Sequence, residues 1–183
     1  MPLVIVGGNN NKPIEASPSG RLNVSARVAE RAYYNARFDG LAFSWSNLTY
    51  NYTAADTILG VYNTSVDKKL HIHAMWLWGD TATVVQVHRP TAATVTMAGT
   101  AVTGTNLNGA STNTAPATAK ADETGNTQGD IMWSGGIPAA NMREVRMDDI
   151  ITLGQNQMIG VDYVTVGGAA VVTIWGYFEK DDA

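Results

Sequence analysis

The sequence predicts an all-β protein, an antiparallel β-sandwich or jelly roll with an extended N-terminal arm. From residue 41 onward, short runs rich in β-branched and aromatic residues alternate with Gly, Asn, Asp and Pro, which is typical of strands joined by turns. A helical period of 3.6 residues is sustained nowhere except over residues 24–36. With 183 residues, the chain is long enough for one domain with a sizeable core.

The composition excludes several classes of protein. Charged residues make up only 15 % of the chain, well below the usual quarter, and such a surface suits close packing against neighbours. A net charge of −4 gives no general attraction to nucleic acid or to an anionic membrane. The chain has no cysteine, so it cannot form disulfides, a thiolate zinc site or a thiol nucleophile. The opening MPLVIVGG has too few apolar residues for a secretory signal, and we expect no secretion by that route.

Residues 1–40 are expected to form the arm and a first strand or short helix. The stretch GGNNNKPIEASPSG is rich in residues that disfavour regular structure, so we expect it to lie against its own domain or a neighbouring subunit. Ten of the 16 acidic residues lie from Asp122 onward. The N-terminal segment is rich in arginine and the C-terminal part in acidic residues, and this opposite charge could steer packing between copies. The alternative is a solvated segment with ordinary charges. The arm carries the basic candidates for an interface, which are Arg21, Arg27, Arg31 and Arg37.

Residues 41–183 are expected to form the sandwich. The apolar runs after the arm are LAFSWSNLTYNYT, TILGVYNTS, KLHIHAMWLW, TATVVQVHRP, DIMW, REVRM, DIITL, QMIGVDYVTV and AAVVTIWGYFEK. Each predicts a strand. Gly79-Asp80 and Gly167-Gly168 suit two-residue turns, and we interpret the strands on either side of each turn as paired hairpins.

The first of these hairpins raises the question of a metal site. It contains all three histidines of the chain, His71, His73 and His88, and the pairing places them on one face. Three imidazoles within reach of one point could bind zinc or iron. No carboxylate is near in sequence to support them, and the alternative is three polar residues on a half-exposed face. We favour the alternative, and no cofactor is expected.

Residues 98–129 are expected to form a long docked loop. The segment consists almost entirely of Gly, Ala, Thr, Asn and Ser, and a structureless loop of this length inside a compact domain is usually functional or packed elsewhere. We interpret it as an excursion that contacts a neighbour or projects outward. Its asparagines are the second set of interface candidates: Asn106, Asn108 and Asn113.

Catalytic patterns are weak. No serine lies in a Gly-x-Ser-x-Gly elbow and no phosphate-binding loop is present. A paired-carboxylate hydrolase could use Asp148, Asp149 or Asp162, but MDDIITL is more simply an edge strand entered through a polar turn. We therefore expect a protein that is not an enzyme.

The tryptophans could line the core or a sugar-binding face. Trp76 and Trp78 share one side of their strand, opposite the predicted histidine side, and we expect them in the core together with the others.

The order and texture of residues 57–180 resemble β-sandwich structural proteins of tailed bacteriophage virions. The resemblance is carried by HRPTAAT, by the following Thr- and Asn-rich segment with NLNGAS, and by the late strand containing IWGYF. It does not cover the first 40 residues and includes no catalytic signature.

The resemblance implies a virion structural protein, made in the host cytoplasm and located on the outer capsid surface. It would act as a capsid decoration or cement protein, bridging major capsid protein subunits as a homotrimer, with neither nucleic acid nor membrane as a partner. The alternative is a tail or fibre accessory protein that contacts host surface glycans. A more remote alternative is a metal-dependent enzyme using the three histidines.

Overall fold

The computed structural model describes residues 34–48, 50–51, 57–90, 97–123, 128–164 and 168–180. The chain divides into two units, Met1–Glu30 and Arg31–Ala183, and every described residue belongs to the second. Residues 1–33 of the predicted N-terminal region, with Arg21, Arg27 and Arg31, lie outside the described residues. The predicted boundary at residue 40 stays a prediction.

The described part contains one short π-helical turn, Asn35–Asp39, followed by strands. The turn ends at Gly40, whose φ of 60° is a left-handed conformation that glycine adopts without steric cost. The strands are β1 (Ala42–Ser46), β2 (Tyr50–Asn51), β3 (Thr57–Asn63), β4 (Lys68–Gly79), β5 (Thr83–Arg89), β6 (Thr100–Val102), β7 (Thr105–Asn106), β8 (Ala117–Glu123), β9 (Asp130–Ile137), β10 (Asn141–Leu153), β11 (Met158–Tyr163) and β12 (Ala169–Lys180).

These strands form two antiparallel sheets. Sheet one has the order β10-β4-β12-β1-β7, with β2 also pairing with β12, and sheet two has the order β6-β8-β3-β11-β5-β9. If β1, β3, β4, β5 and β9 to β12 are taken as eight consecutive strands, the two sheets have the strand orders of a jelly roll. The predicted all-β sandwich is confirmed.

The jelly-roll connectivity corrects both predicted hairpins. The turn at Gly79-Asp80 joins β4 in sheet one to β5 in sheet two, and the connection around Gly168 joins β11 in sheet two to β12 in sheet one. Neither pair of strands is hydrogen-bonded, because each turn crosses from one layer to the other. The predicted hairpin pairing that places His71, His73 and His88 on one face is therefore wrong.

The segment predicted as a long loop contributes strands to both sheets. Between β5 and β9, strands β6 and β8 extend sheet two beyond β3, and β7 pairs with β1 in sheet one. We call residues 97–123 the insertion. Small residues suffice for these strands because an exposed sheet edge offers main-chain hydrogen bonds whatever the side chains are.

The core lies between the two sheets. Phe43, Trp45 and Phe178 are fully buried, and their rings pack at centroid distances of 5.9 to 6.4 Å. The buried Asn47 fixes the rim of this cluster, since its amide nitrogen donates to Ala170 O at 3.0 Å and its carbonyl oxygen accepts from the backbone of β12. Within the described ranges, no helix is long and apolar enough to cross a membrane.

Candidate functional site

A double irregularity in sheet one brings polar side chains together on its outer face. On β4, Ala74 pairs with Trp175 and Ile72 pairs with Gly176, so His73 has no opposite residue on β12. On the other side of β4, the register against β10 shifts between Arg146 and Ile151. The result is a β-bulge on each of two adjacent strands, at the same height of the sheet.

The bulge on β10 contains two residues in left-handed backbone conformation. Asp148 has a φ of 42° and Asp149 a φ of 64°, values that are uncommon for residues with a side chain but are tolerated best by Asp and Asn. The Asp148 side chain is exposed. The Asp149 carboxylate instead turns back over the sheet.

The Asp149 carboxylate joins three strands. One oxygen lies 3.2 Å from His73 Nδ1 on β4, and the other accepts a hydrogen bond of 2.8 Å from the hydroxyl of Tyr177 on β12. We call these three residues the bulge clamp. Side-chain exposures of 11 % for His73 and 25 % for Asp149 place the clamp at the solvent boundary, where hydrogen bonds to a carboxylate are stronger than neutral ones.

His71 extends this polar region by one row. Its ring stacks on Tyr177 at a centroid distance of 5.0 Å and an interplanar angle of 15°. Its Nδ1 lies 3.1 Å from Thr152 Oγ1, and its Nε2 lies 3.6 Å from Glu179 Oε2. Both ring nitrogens therefore face side chains of the neighbouring strands.

His88 lies in the other sheet. Its Nε2 is 3.9 Å from Asp162 Oδ2, and both side chains are only 4 % exposed. The same carboxylate oxygen accepts a hydrogen bond of 2.7 Å from Gln128 Nε2. Among the residues that the structure describes, neither ring nitrogen of His88 has a hydrogen-bond partner.

The three histidines consequently do not share one site. His71 and His73 lie on β4 of sheet one and His88 on β5 of sheet two, so the geometric basis of the predicted metal site is removed. Over the described ranges, no group of three or more His, Cys, Asp or Glu side chains could hold a metal ion. The carboxylates considered for hydrolysis are also divided, with Asp148 and Asp149 on β10 and Asp162 on β11.

The bulge on β4 also corrects the prediction for the tryptophans. Met75 and Leu77 belong to the buried core, so Trp76 and Trp78, which alternate with them, point to the outer face of sheet one. They are half-buried, as is Trp175 on β12. Trp76 and Trp175 form an edge-to-face pair at 3.9 Å between ring centroids. Trp45 alone of the five tryptophans is fully buried.

We call Trp76, Trp78 and Trp175 the aromatic strip. Register places Val171 beside Trp78 on one side and Met142 on the other, and places Thr173 and Glu144 on the two sides of Trp76. A depression of about 40 Å³ lies between these side chains. The strip is therefore a nearly flat apolar surface with polar neighbours.

The asparagines predicted for an interface bind the protein's own backbone. Asn106 Nδ2 donates to Gly40 O at 2.9 Å and Asn113 Nδ2 to Asp39 O at 3.1 Å. Asn108 Oδ1 accepts from the amide of Ala110 at 3.0 Å. The bonds of Asn106 and Asn113 fasten the insertion to the segment before β1. A contact of the same residues with a neighbouring subunit stays a prediction, as does the role of Arg37, whose side chain lies outside the description.

The two sides of the sandwich differ in how their edges end. On the insertion side, the edge strands β6 and β7 have three and two residues. On the opposite side, the edge strands are β9 and β10, with eight and 13 residues. We call β9 and β10 the open edge. Three large apolar side chains are exposed on it, Ile150 at 85 %, Met142 at 65 % and Ile131 at 54 %.

Arg143 connects the two strands of the open edge. Its guanidinium donates to Gly136 O at 2.6 Å and lies 5.5 Å from the centroid of the Trp133 ring. This cation–π contact covers part of the gap between the sheets.

Sequence reasoning missed the bulge clamp and the open edge. The clamp brings together residues that are 28 to 104 positions apart, and periodicity cannot reveal such a contact. The paired aspartates in MDDIITL were the available signal, because two residues that tolerate left-handed backbone interrupt an alternating pattern.

Comparisons with known proteins leave the family open. No family model matches the chain, and no curated protein matches it. Among solved structures, it is similar to a chain of the tripod from the baseplate of bacteriophage Tuc2009, at 14 % identity and a TM-score of 0.19, over 96 % of this chain and 83 % of that chain. A TM-score this low carries no argument about this protein.

Proposed function

We propose that this chain is a non-enzymatic structural component of a bacteriophage virion whose work is adhesion between subunits. The observation that carries the proposal is the open edge. On its two long strands, Ile131, Met142 and Ile150 are exposed, and among the described residues no further strand pairs beyond β9 or β10. Charged side chains and a bulge interrupt β10, but proteins that work as monomers normally also keep exposed edges short or covered.

Three features of the chain support a virion as the setting. They are the resemblance of residues 57–180 to virion β-sandwich proteins, the jelly-roll order of the two sheets, and a charged fraction of only 15 %. A contact surface with few charges has little polar area to desolvate when subunits pack together.

The finer form of the proposal is a capsid decoration protein on the outer capsid surface. As a homotrimer it would bridge major capsid protein subunits, using residues 1–40 and the 98–129 segment. Many such contacts on a lattice would hold the protein by avidity, since each bound contact raises the effective concentration for the next.

Immunogold electron microscopy tests both levels of this proposal. Antibodies against the chain should decorate particles of the phage that encodes it, and regular labelling over the head would support the decoration role. Labelling confined to the tail would assign the protein to the tail, and unlabelled particles would refute a virion role. Removing residues 2–20 should release the protein from particles while its thermal unfolding stays unchanged.

The open edge has its own test in solution. Ile150→Lys should weaken self-association or particle binding, because a charge would replace a side chain that is 85 % exposed in the free subunit. Val66→Lys is the matched control, since Val66 is 80 % exposed and lies between β3 and β4. Equal effects of the two substitutions in sedimentation velocity would argue against the open edge.

A second candidate is a tail or fibre accessory protein that contacts the host surface. The outward orientation of the aromatic strip favours this candidate, because tryptophans on an outer face are available for contact with a host surface. The sequence had predicted these tryptophans in the core. Tail-restricted immunogold labelling would distinguish this candidate from a decoration protein.

A further inference from the structure

The aromatic strip forms an apolar surface on the outer face of sheet one. Its tryptophans lie in three rows of residues that run across β12, β4 and β10. The rows are Val171, Trp78 and Met142; Thr173, Trp76 and Glu144; and Trp175, Ala74 and Arg146. The tryptophans and Val171 are half-buried, so part of each side chain meets solvent. These residues are not needed by the core, which contains Met75, Leu77, Val172 and Ile174 instead.

Polar groups border the strip on both long sides. On β10, Glu144 Oε1 and Arg146 Nε form an ion pair of 3.4 Å with side chains that are 47 % and 59 % exposed. On β1 and β12, the hydroxyls of Ser46 and Thr173 are 2.8 Å apart. The surface thus has an apolar centre, with carboxylate and guanidinium groups on one side and hydroxyls on the other.

The size of the strip argues against a protein partner. Strands lie about 4.8 Å apart and successive outward residues about 6.7 Å apart, so three rows on three strands with their side chains cover on the order of 300 Å². A stable protein–protein contact needs about 800 Å² on each partner. A second copy of this chain seated on the strip alone would therefore fall well short.

The chemistry of the strip matches a sugar. One face of a pyranose ring presents C–H groups, which are attracted to the electron-rich face of an indole, while its hydroxyls radiate from the ring edge. The depression of about 40 Å³ is too small to enclose a ring. Stacking on an open surface is the mode that this geometry allows.

We propose that the aromatic strip is a saccharide-binding surface, on which sugar rings stack against Trp76, Trp78 and Trp175 and hydrogen-bond to Glu144, Arg146 and Thr173. The inference rests on the second candidate function, contact with the host surface, and deepens it by naming the partner chemistry of one face. The open edge remains the surface for contacts between subunits.

Indole NMR on the intact chain gives a test with internal controls. The chain has five tryptophans, three in the strip and two, Trp45 and Trp133, outside it. Saccharides selected on an array of bacterial surface polysaccharides and oligosaccharides, using the multivalently displayed protein, would be titrated into labelled protein. We expect the three strip indole resonances to shift, with those of Trp45 and Trp133 unchanged.

Substitution provides the second measurement. Trp76→Ala should weaken binding of the selected oligosaccharide by about tenfold or more, and Trp133→Ala, the matched control, should leave it unchanged. If Trp76→Ala fails to fold, the indole shifts of the wild-type protein decide. Circular dichroism of each variant identifies that case.

Three outcomes would overturn the inference. These are an array without any binding saccharide, indole shifts outside the strip only, and strip shifts that follow protein concentration instead of sugar, which would assign the strip to a second copy. In each case, particle labelling and the Ile150→Lys result would stand unaffected. Loss of particle labelling with sugar binding intact would refute the virion role alone.

Discussion

The two outer faces of the sandwich each hold a histidine beside an aspartate, and the surroundings of the two pairs differ. On sheet one, His73 and Asp149 meet at 3.2 Å at the solvent boundary, and Tyr177 completes the clamp. On sheet two, His88 and Asp162 are 3.9 Å apart and 96 % buried, with Gln128 on the carboxylate. The same residue types hold an irregular backbone in one place and are almost completely buried in the other.

The comparison shows how burial changes the energetic role of a pair. A carboxylate near solvent can replace a lost partner with water, so each of its hydrogen bonds contributes little net stability. A buried carboxylate cannot, and its partners are left without an acceptor when it is removed. The two pairs should therefore respond very differently to the same substitution.

The largest effect is expected at Asp162. Asp162→Ala should lower the free energy of unfolding by about 3 kcal/mol, because His88 would stay buried beside a cavity and the half-buried Gln128 would lose its acceptor. Urea denaturation monitored by tryptophan fluorescence measures this. Asp162→Asn keeps an acceptor for Gln128 and should cost about 1 kcal/mol. Equal costs for Asp162→Ala and Asp162→Asn would show that stability at this site does not depend on an oxygen that accepts the Gln128 hydrogen bond.

A smaller effect is expected at Asp149. Asp149→Ala should cost about 1–2 kcal/mol, since it removes two hydrogen bonds and leaves a left-handed alanine. Amide hydrogen exchange should also quicken in β10 between Met147 and Thr152, while the remainder of sheet one stays protected. Tyr177→Phe, which removes one of the two bonds, should cost about half as much. If Asp149→Ala costs more than Asp162→Ala, the comparison between the faces is wrong.

A substitution at the neighbouring aspartate should have the opposite sign. Asp148 has a φ of 42° and an exposed side chain. Asp148→Gly should raise the free energy of unfolding by up to about 1 kcal/mol, because glycine adopts this backbone without strain. Differential scanning calorimetry would detect a higher Tm. A lower Tm would mean that the Asp148 side chain takes part in the bulge.

The smallest effect concerns the exposed carboxylate of Asp67, which serves as the reference for both pairs. Hydrogen bonds from Lys68 and Ser65 lower the pKa of Asp67 from its ordinary value. A lowered pKa stabilises the folded state above the unfolded-state value, and this contribution is lost as the pH falls through the folded-state value. Lys68→Ala should return the pKa toward the ordinary value. Carboxyl ¹³C chemical shifts followed through an acid titration report it.

Sequence patterns predicted the strands well and their partners poorly. Runs such as KLHIHAMWLW and AAVVTIWGYFEK correspond to β4 and β12 because β-propensity and alternation are local properties. Whether the strands around Gly79-Asp80 pair or separate is decided by the packing of two whole sheets. The turn residues fit either outcome, so the predicted hairpin failed.

The candidate sites show the same division. The sequence singled out His71, His73, His88 and the tryptophans as residues of interest, and the structure gives each a defined environment. The sequence could not show that His73 contacts Asp149, 76 residues away, or that the insertion would bind Gly40 through Asn106. Such contacts depend on topology, which no local pattern encodes.

The bulge at His73 has a consequence for any change in the length of β4. Below it, even-numbered residues such as Leu70 and Ile72 face the interior, and above it odd-numbered residues such as Met75 and Leu77 do so. If the strand ran through His73 without a bulge, regular alternation would force either the indoles inward or the upstream aliphatics into water. Deleting His73 would instead restore regular alternation, with the aliphatics still inside and the indoles still outside, at the cost of the bulge and its clamp. Which surface the protein shows to its surroundings thus depends on where a single bulge lies and not on the composition of the surface itself.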